Sequence, residues 1–131
     1  MIWFLRILFG LVLASMLWVT TWASLQCPLF GVPREVYTHP WFIATLFDAY
    51  WGFITFYVWV AFKQTSWLAR GAWFVAIMLL GNIAMSAYCL SELFLTPATG
   101  RVSDLLAVRR TGPGGLGLGL ALAGVVVVLA A

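Results

Sequence analysis

Charge is what this sequence has least of. Asp, Glu, Lys and Arg make up 8% of its 131 residues, whereas 64% are hydrophobic and mean hydropathy is +1.04. A soluble domain carries roughly 25% charged residues, so too few remain here to cover a water-facing surface. The scarcity excludes a secreted enzyme, a nucleic-acid module and a disordered linker, and it implies a polytopic membrane protein. Lys63 is the only lysine, and no run of basic residues exceeds two, so neither a polybasic lipid patch nor a phosphate-tracking stripe is present. Two cysteines, Cys27 and Cys89, are too few for a zinc or iron–sulfur framework. The single histidine, His39, precedes a proline in a polar stretch, which excludes bis-histidine haem within one chain. No glycine-rich phosphate loop, catalytic triad or inverted repeat is visible.

What is abundant is long apolar sequence. The expected fold is all-α: one membrane domain over 1–131, with helices at about 4–25, 41–62 and 71–94 and a fourth at 114–131. The first run holds one charge, Arg6, placed to snorkel to the interface beside Trp3. Its length and its tryptophans, Trp18 and Trp22, favour an uncleaved helix over a signal peptide. Three prolines from Gln26 through Pro40 mark a loop, and Pro40 itself suits the first position of the next helix. The turn near residue 66, ringed by Trp59, Trp67 and Trp73, predicts an antiparallel hairpin between the second and third helices. Between 96 and 113, apolar and charged residues alternate in a pattern that suits either a surface helix or a plain loop. The last run is uncharged and glycine-rich, with Gly115, Gly119 and Ala123 spaced as a packing stripe; a re-entrant segment is the alternative to a fourth span. Orientation is unresolved, because three spans divide the seven basic residues almost evenly between the two sides.

Asp48 is the most informative side chain. It sits well inside the second apolar run, where a carboxylate costs ~2.5–3.5 kcal/mol on insertion scales. Equal counts from the hairpin turn put it level with Asn82 and Ser86, with Thr45, Tyr50 and Tyr88 as further neighbours. The Asp48–Asn82 pair is read in two ways: the polar floor of a ligand pocket, or a hydrogen bond that fixes helix register. Glu92 is expected at the interface on the side where His39 emerges, either as its acid–base partner or simply facing water. Cys27 and Cys89 are expected near that same face, as packed thiols or as a disulfide if the compartment is oxidising. Aromatic residues crowd the second helix on every side, which fits lipid-facing bulk better than a one-sided slot for a quinone, carotenoid or porphyrin. Ala72, Ala76, Gly81, Ala84 and Ala87, and Gly10 with Ala14, offer small faces for close helix approach.

The runs WFIATLFDAYWGFITFYVWVAFK and RGAWFVAIMLLGNIAMSAYCLSELF, with the opening ASMLWVTTWASL, resemble a family of small membrane proteins known as domain of unknown function 1475. The similarity covers about residues 5–95, and Asp48, Gly52, Trp59, Lys63, Trp73, Gly81 and Asn82 match the family pattern. The glycine-rich end beyond Gly112 does not fit it. The resemblance implies a multi-pass membrane location, with a bacterial inner membrane as the expected setting, and no assigned activity. Taken together, the residues favour a non-enzymatic accessory subunit or packing partner in a larger membrane complex. The alternative is a binder or carrier of a quinone, carotenoid or lipid; a lipid-modifying enzyme fits least. The expected partners are the bilayer and other membrane proteins, with no nucleic acid, cofactor or metal.

Overall fold

The computed structural model describes residues 1–109 and 114–130; Arg110 to Pro113 and Ala131 lie outside the described residues. Among the described residues the chain is all-helical and forms a bundle. In chain order the helices are α1 (Ile2–Gln26), α2 (Arg34–Tyr37), α3 (Pro40–Lys63), α4 (Trp67–Leu80), α5 (Asn82–Leu95), α6 (Val102–Ala107) and α7 (Gly114–Ala130), with a 3-10 turn at Leu29–Gly31 between α1 and α2. α1 and α3 are long and apolar enough to cross a membrane. Proline and histidine set the start of α3: Pro40 takes its first turn, and the His39 ring accepts the Trp41 N–H at 3.3 Å.

The run at 71–94, expected as one helix, is two. Gly81 adopts φ 54° and ψ −123°, a conformation that turns of type II′ reserve for glycine, and it reverses the chain between α4 and α5. A straight helix would hold Trp73 and Tyr88 ~22 Å apart. Their ring centroids are 4.8 Å apart, edge to face. α4 and α5 are therefore two antiparallel arms of 14 residues each, ~21 Å long. A glycine is needed at the tip for a second reason: a Cβ there would stand 2.6 Å from the Phe53 ring of α3.

The hairpin is the centre of the bundle. α3 runs antiparallel to α4, with the Tyr57 hydroxyl donating to the Arg70 carbonyl at 2.9 Å and its ring against Phe74. α1 packs along α5 rather than along its chain neighbour, so that Ile2 and Leu93 are buried together with Leu105 of α6. The larger core gathers Val60, Trp73, Ala76, Ile77, Ala84, Tyr88 and Ala121. Ala72, Ala76 and Ala84 are buried as the small-face expectation requires, whereas Gly10 has open space around it.

α7 lies parallel to α4, because Gly117 meets Trp73 and Gly124 meets Leu79 and Leu80. The buried stripe is thus Gly117, Ala121 and Gly124; Gly115, Gly119 and Ala123, the expected stripe, are exposed. The bulk of Trp73 decides the rotation, since an indole on α4 needs a residue without a side chain opposite. A Cβ on Gly117 would fall 2.7 Å from the indole nitrogen. Gly117→Val is expected to destabilise the α4–α7 contact by ~1–3 kcal/mol through overpacking, whereas Gly119→Val, with open space around it, leaves stability unchanged. Thermal denaturation in detergent distinguishes the two.

Candidate functional site

The reversal at Gly81 brings together charges that the sequence alone places at opposite ends. Lys63 ends α3 and Glu92 lies in the last turn of α5, and their side chains meet at 2.8 Å with neither exposed to solvent. Lys63 Nζ also donates to the Leu105 carbonyl at 2.5 Å, which fastens α6 over the pair. The Trp59 indole N–H makes a second tie, to the Leu106 carbonyl at 3.0 Å. Beside the pair, Gln64 Nε2 donates to the Tyr88 hydroxyl at 3.1 Å. Tyr88 is fully buried against Phe56, Trp59 and Trp73.

This polar core is incompletely satisfied. Gln64 Oε1, Glu92 Oε1 and the Trp73 indole nitrogen are buried without a hydrogen-bond partner among the described residues. A buried pair under these conditions holds position rather than adding much stability, since desolvation offsets most of the Coulomb attraction. Its chemistry is that of a clamp: one ion pair and one carbonyl acceptor join α3, α5 and α6 at one end of the bundle.

Two arginines close that end. The Arg6 side chain of α1 donates through Nη2 to the Leu93 and Thr96 carbonyls at 2.9 and 3.0 Å, and through Nε to Leu93 at 3.3 Å. Arg70 Nε donates to the Ala61 and Gln64 carbonyls at 3.0 and 2.9 Å. Each cation therefore caps the C-terminus of another helix, where free carbonyls and the negative end of the dipole lie.

The predicted polar pair sits elsewhere. Phe53 is level with Gly81, so Asp48 stands ~7 Å beyond the hairpin tip along α3. Asp48 is exposed, and no hydrogen bond joins it to Asn82 or Ser86. Asn82, at the tip of the hairpin, is exposed as well, while Ser86 is buried and donates to the Asn82 and Ile83 carbonyls of its own helix. The equal count across the hairpin fails at Gly81, because residues after it descend instead of continuing outward. Thr45 and Tyr50 flank Asp48 on α3 and are exposed; the Thr45 hydroxyl turns back to the Trp41 carbonyl.

Glu92 corrects a second expectation. It lies at the opposite end of α3 from His39, ~36 Å away, and is sealed inside the bundle rather than at an interface beside that histidine. His39 instead shares a shallow, open hollow with Glu35, Val36 and Trp41. Cys27 and Cys89 are both free thiols, and the same reversal separates them: Cys89 descends toward Glu92, while Cys27 follows the far end of α1.

Sequence reasoning missed Lys63 and Glu92 as partners. The signal was available in the only lysine, the only acid of its run, and a glycine between them at which the count could turn back. Together the fold and the clamp define a small helical bundle built around a reversed hairpin and sealed by a buried ion pair. The chain belongs to the family described as "Protein of unknown function (DUF1475)", whose model matches residues 2–116. That match extends past Gly112 to the start of α7, further than the similarity at 5–95. No curated protein and no solved structure matches the chain.

Proposed function

We propose that the chain is an integral membrane protein that acts as a non-enzymatic packing subunit of a larger membrane assembly. α1 and α3 span the bilayer, their 25 and 24 residues exceeding the ~20 needed for ~30 Å of hydrocarbon. Only 6% of each apolar window is buried, which argues against the core helices of a soluble globule. α4 and α5 are too short to cross singly, and as a hairpin they enter and leave on one side, the irregular backbone at Gly81 being covered by Phe53. In this reading the molecule has two full crossings and a re-entrant pair, with α7 packed on α4, in place of three or four simple spans.

Asp48 carries the proposal. It is a carboxylate exposed on an apolar helix of membrane length, beyond the reach of the hairpin and without a hydrogen bond among the described residues. An acid in that position needs a companion, and a helix of another chain supplies one. The carrier reading needs Asp48 and Asn82 to form one polar floor, and no hydrogen bond unites them.

The test is co-purification from gently solubilised membranes. The wild-type chain is expected to bring a stoichiometric protein partner. Asp48→Asn, which keeps a hydrogen-bonding side chain, retains that partner, and Asp48→Leu loses it. A wild-type chain that purifies alone, or an Asp48→Leu chain that holds the same partner undiminished, overturns the proposal.

A further inference from the structure

The hairpin also decides where the positive charge goes. With 71–94 as a single span, Arg101 and Arg109 would lie across the membrane from Arg6, Lys63 and Arg70. The reversal at Gly81 puts all five at one end: α6 is tied to Lys63 and Trp59, and Arg109 sits over the Phe62 ring at 5.4 Å. Among the described residues, Arg34 is the basic residue left at the far end, and Glu35 stands next to it. An even split has become a strong asymmetry. Cations near the ends of membrane segments are retained on the cytoplasmic side.

Lys63 is paired with Glu92, but the arginines are held without being neutralised. Arg6 and Arg70 are anchored by backbone carbonyls, not carboxylates, and among the described residues each keeps further N–H groups that these bonds do not use. Arg6 lies over the Trp3 and Phe94 rings at 4.9 and 5.0 Å, and Arg70 over Trp67 at 4.7 Å. All three rings are exposed, Trp67 to 81%. Of the two acids at this end, Glu92 is buried against Lys63, so only Asp104 faces outward, beside the Arg101 amide at 3.4 Å. Guanidinium groups pinned at the level of exposed aromatic rings match a layer of phosphate headgroups, to which they offer paired N–H donors.

We propose that the Lys63 end of the bundle is cytoplasmic and that Arg6, Arg70, Arg101 and Arg109 form a collar for anionic phospholipid headgroups. The proposal rests on the membrane reading above, and its failure is separable from the failure of that reading. In a Cys27→Ser/Cys89→Ala background, single cysteines at Thr65 and Thr99 are probed with a membrane-impermeant maleimide in intact cells and in inverted vesicles. Both are expected to react only in inverted vesicles. Labelling on opposite sides, or of both from outside, overturns the proposed orientation; a chain found wholly in the soluble fraction overturns the membrane reading itself.

The collar is tested in vesicles of phosphatidylcholine with a minority of phosphatidylglycerol, from which the chain is re-purified and its retained lipid measured by mass spectrometry. The retained lipid is expected to be enriched in phosphatidylglycerol about threefold over the bulk ratio. The enrichment falls toward bulk in the double variant Arg101→Gln/Arg109→Gln and is unchanged in Arg34→Gln. Bulk composition in the wild type, or equal loss in Arg34→Gln, overturns the collar.

Discussion

Removing the carboxylate of Glu92 is expected to destabilise the solubilised chain by ~3–5 kcal/mol, the usual cost of leaving a buried partner charge alone. Lys63 would keep one acceptor, the Leu105 carbonyl, at a position where its own side chain is unexposed to solvent. Lys63→Met is expected to cost a similar amount, because it strands the carboxylate, which already has one oxygen unpartnered. The double variant Lys63→Met/Glu92→Leu, apolar and of similar volume, recovers most of the loss. A double-mutant cycle by denaturant titration in detergent therefore shows strong coupling between the two positions. Additive effects, or a Glu92→Ala chain as stable as wild type, would mean that the two side chains do not share a site.

The second large effect belongs to Gly81. Gly81→Ala forces an L side chain into a backbone region that costs ~1–3 kcal/mol, and it drives the new methyl into Phe53. Adding Phe53→Ala relieves the clash and leaves the backbone cost, so the paired change recovers only part of the stability. Opening of the hairpin also pulls Tyr88 away from Trp73 and Gln64, which alters the near-ultraviolet signal of the buried aromatic cluster. A Gly81→Ala chain with unchanged stability and aromatic signal would show that the polypeptide does not turn back there.

These two positions also mark where the sequence stops being readable. The long helices are legible at their ends: Pro40 and His39 start α3, polar residues follow Lys63, and Pro28 stands just after Gln26, so the expected 4–25 and 41–62 differ from the observed helices by a residue or two. The run at 71–94 gives no comparable signal. It is apolar on most sides, so periodicity does not distinguish one span from two arms, and Gly81 fits a small packing face as well as it fits a turn. That one residue inverts the depth of everything after it. Asn82 and Ser86 leave the level of Asp48, Cys89 parts from Cys27, and Glu92 changes ends. The glycine stripe on α7 was legible as a stripe but not in its rotation, because the deciding residue, Trp73, lies on another helix.

The pairing of α1 with α5 has a bearing on the order of events at the ribosome. α1 emerges first, yet the surface it packs on is not made until residues 82–95 have followed. At ~5–20 residues per second that interval lasts several seconds, during which the first helix waits alone while the helix beside it in sequence finds a different mate. A nascent chain halted before Asn82 would display α1 undocked, whereas one halted after α6 could already close the ion pair and draw α1 in through Arg6. α7, made after these, then closes the larger core, setting Ala121 among its buried residues and Gly117 against Trp73.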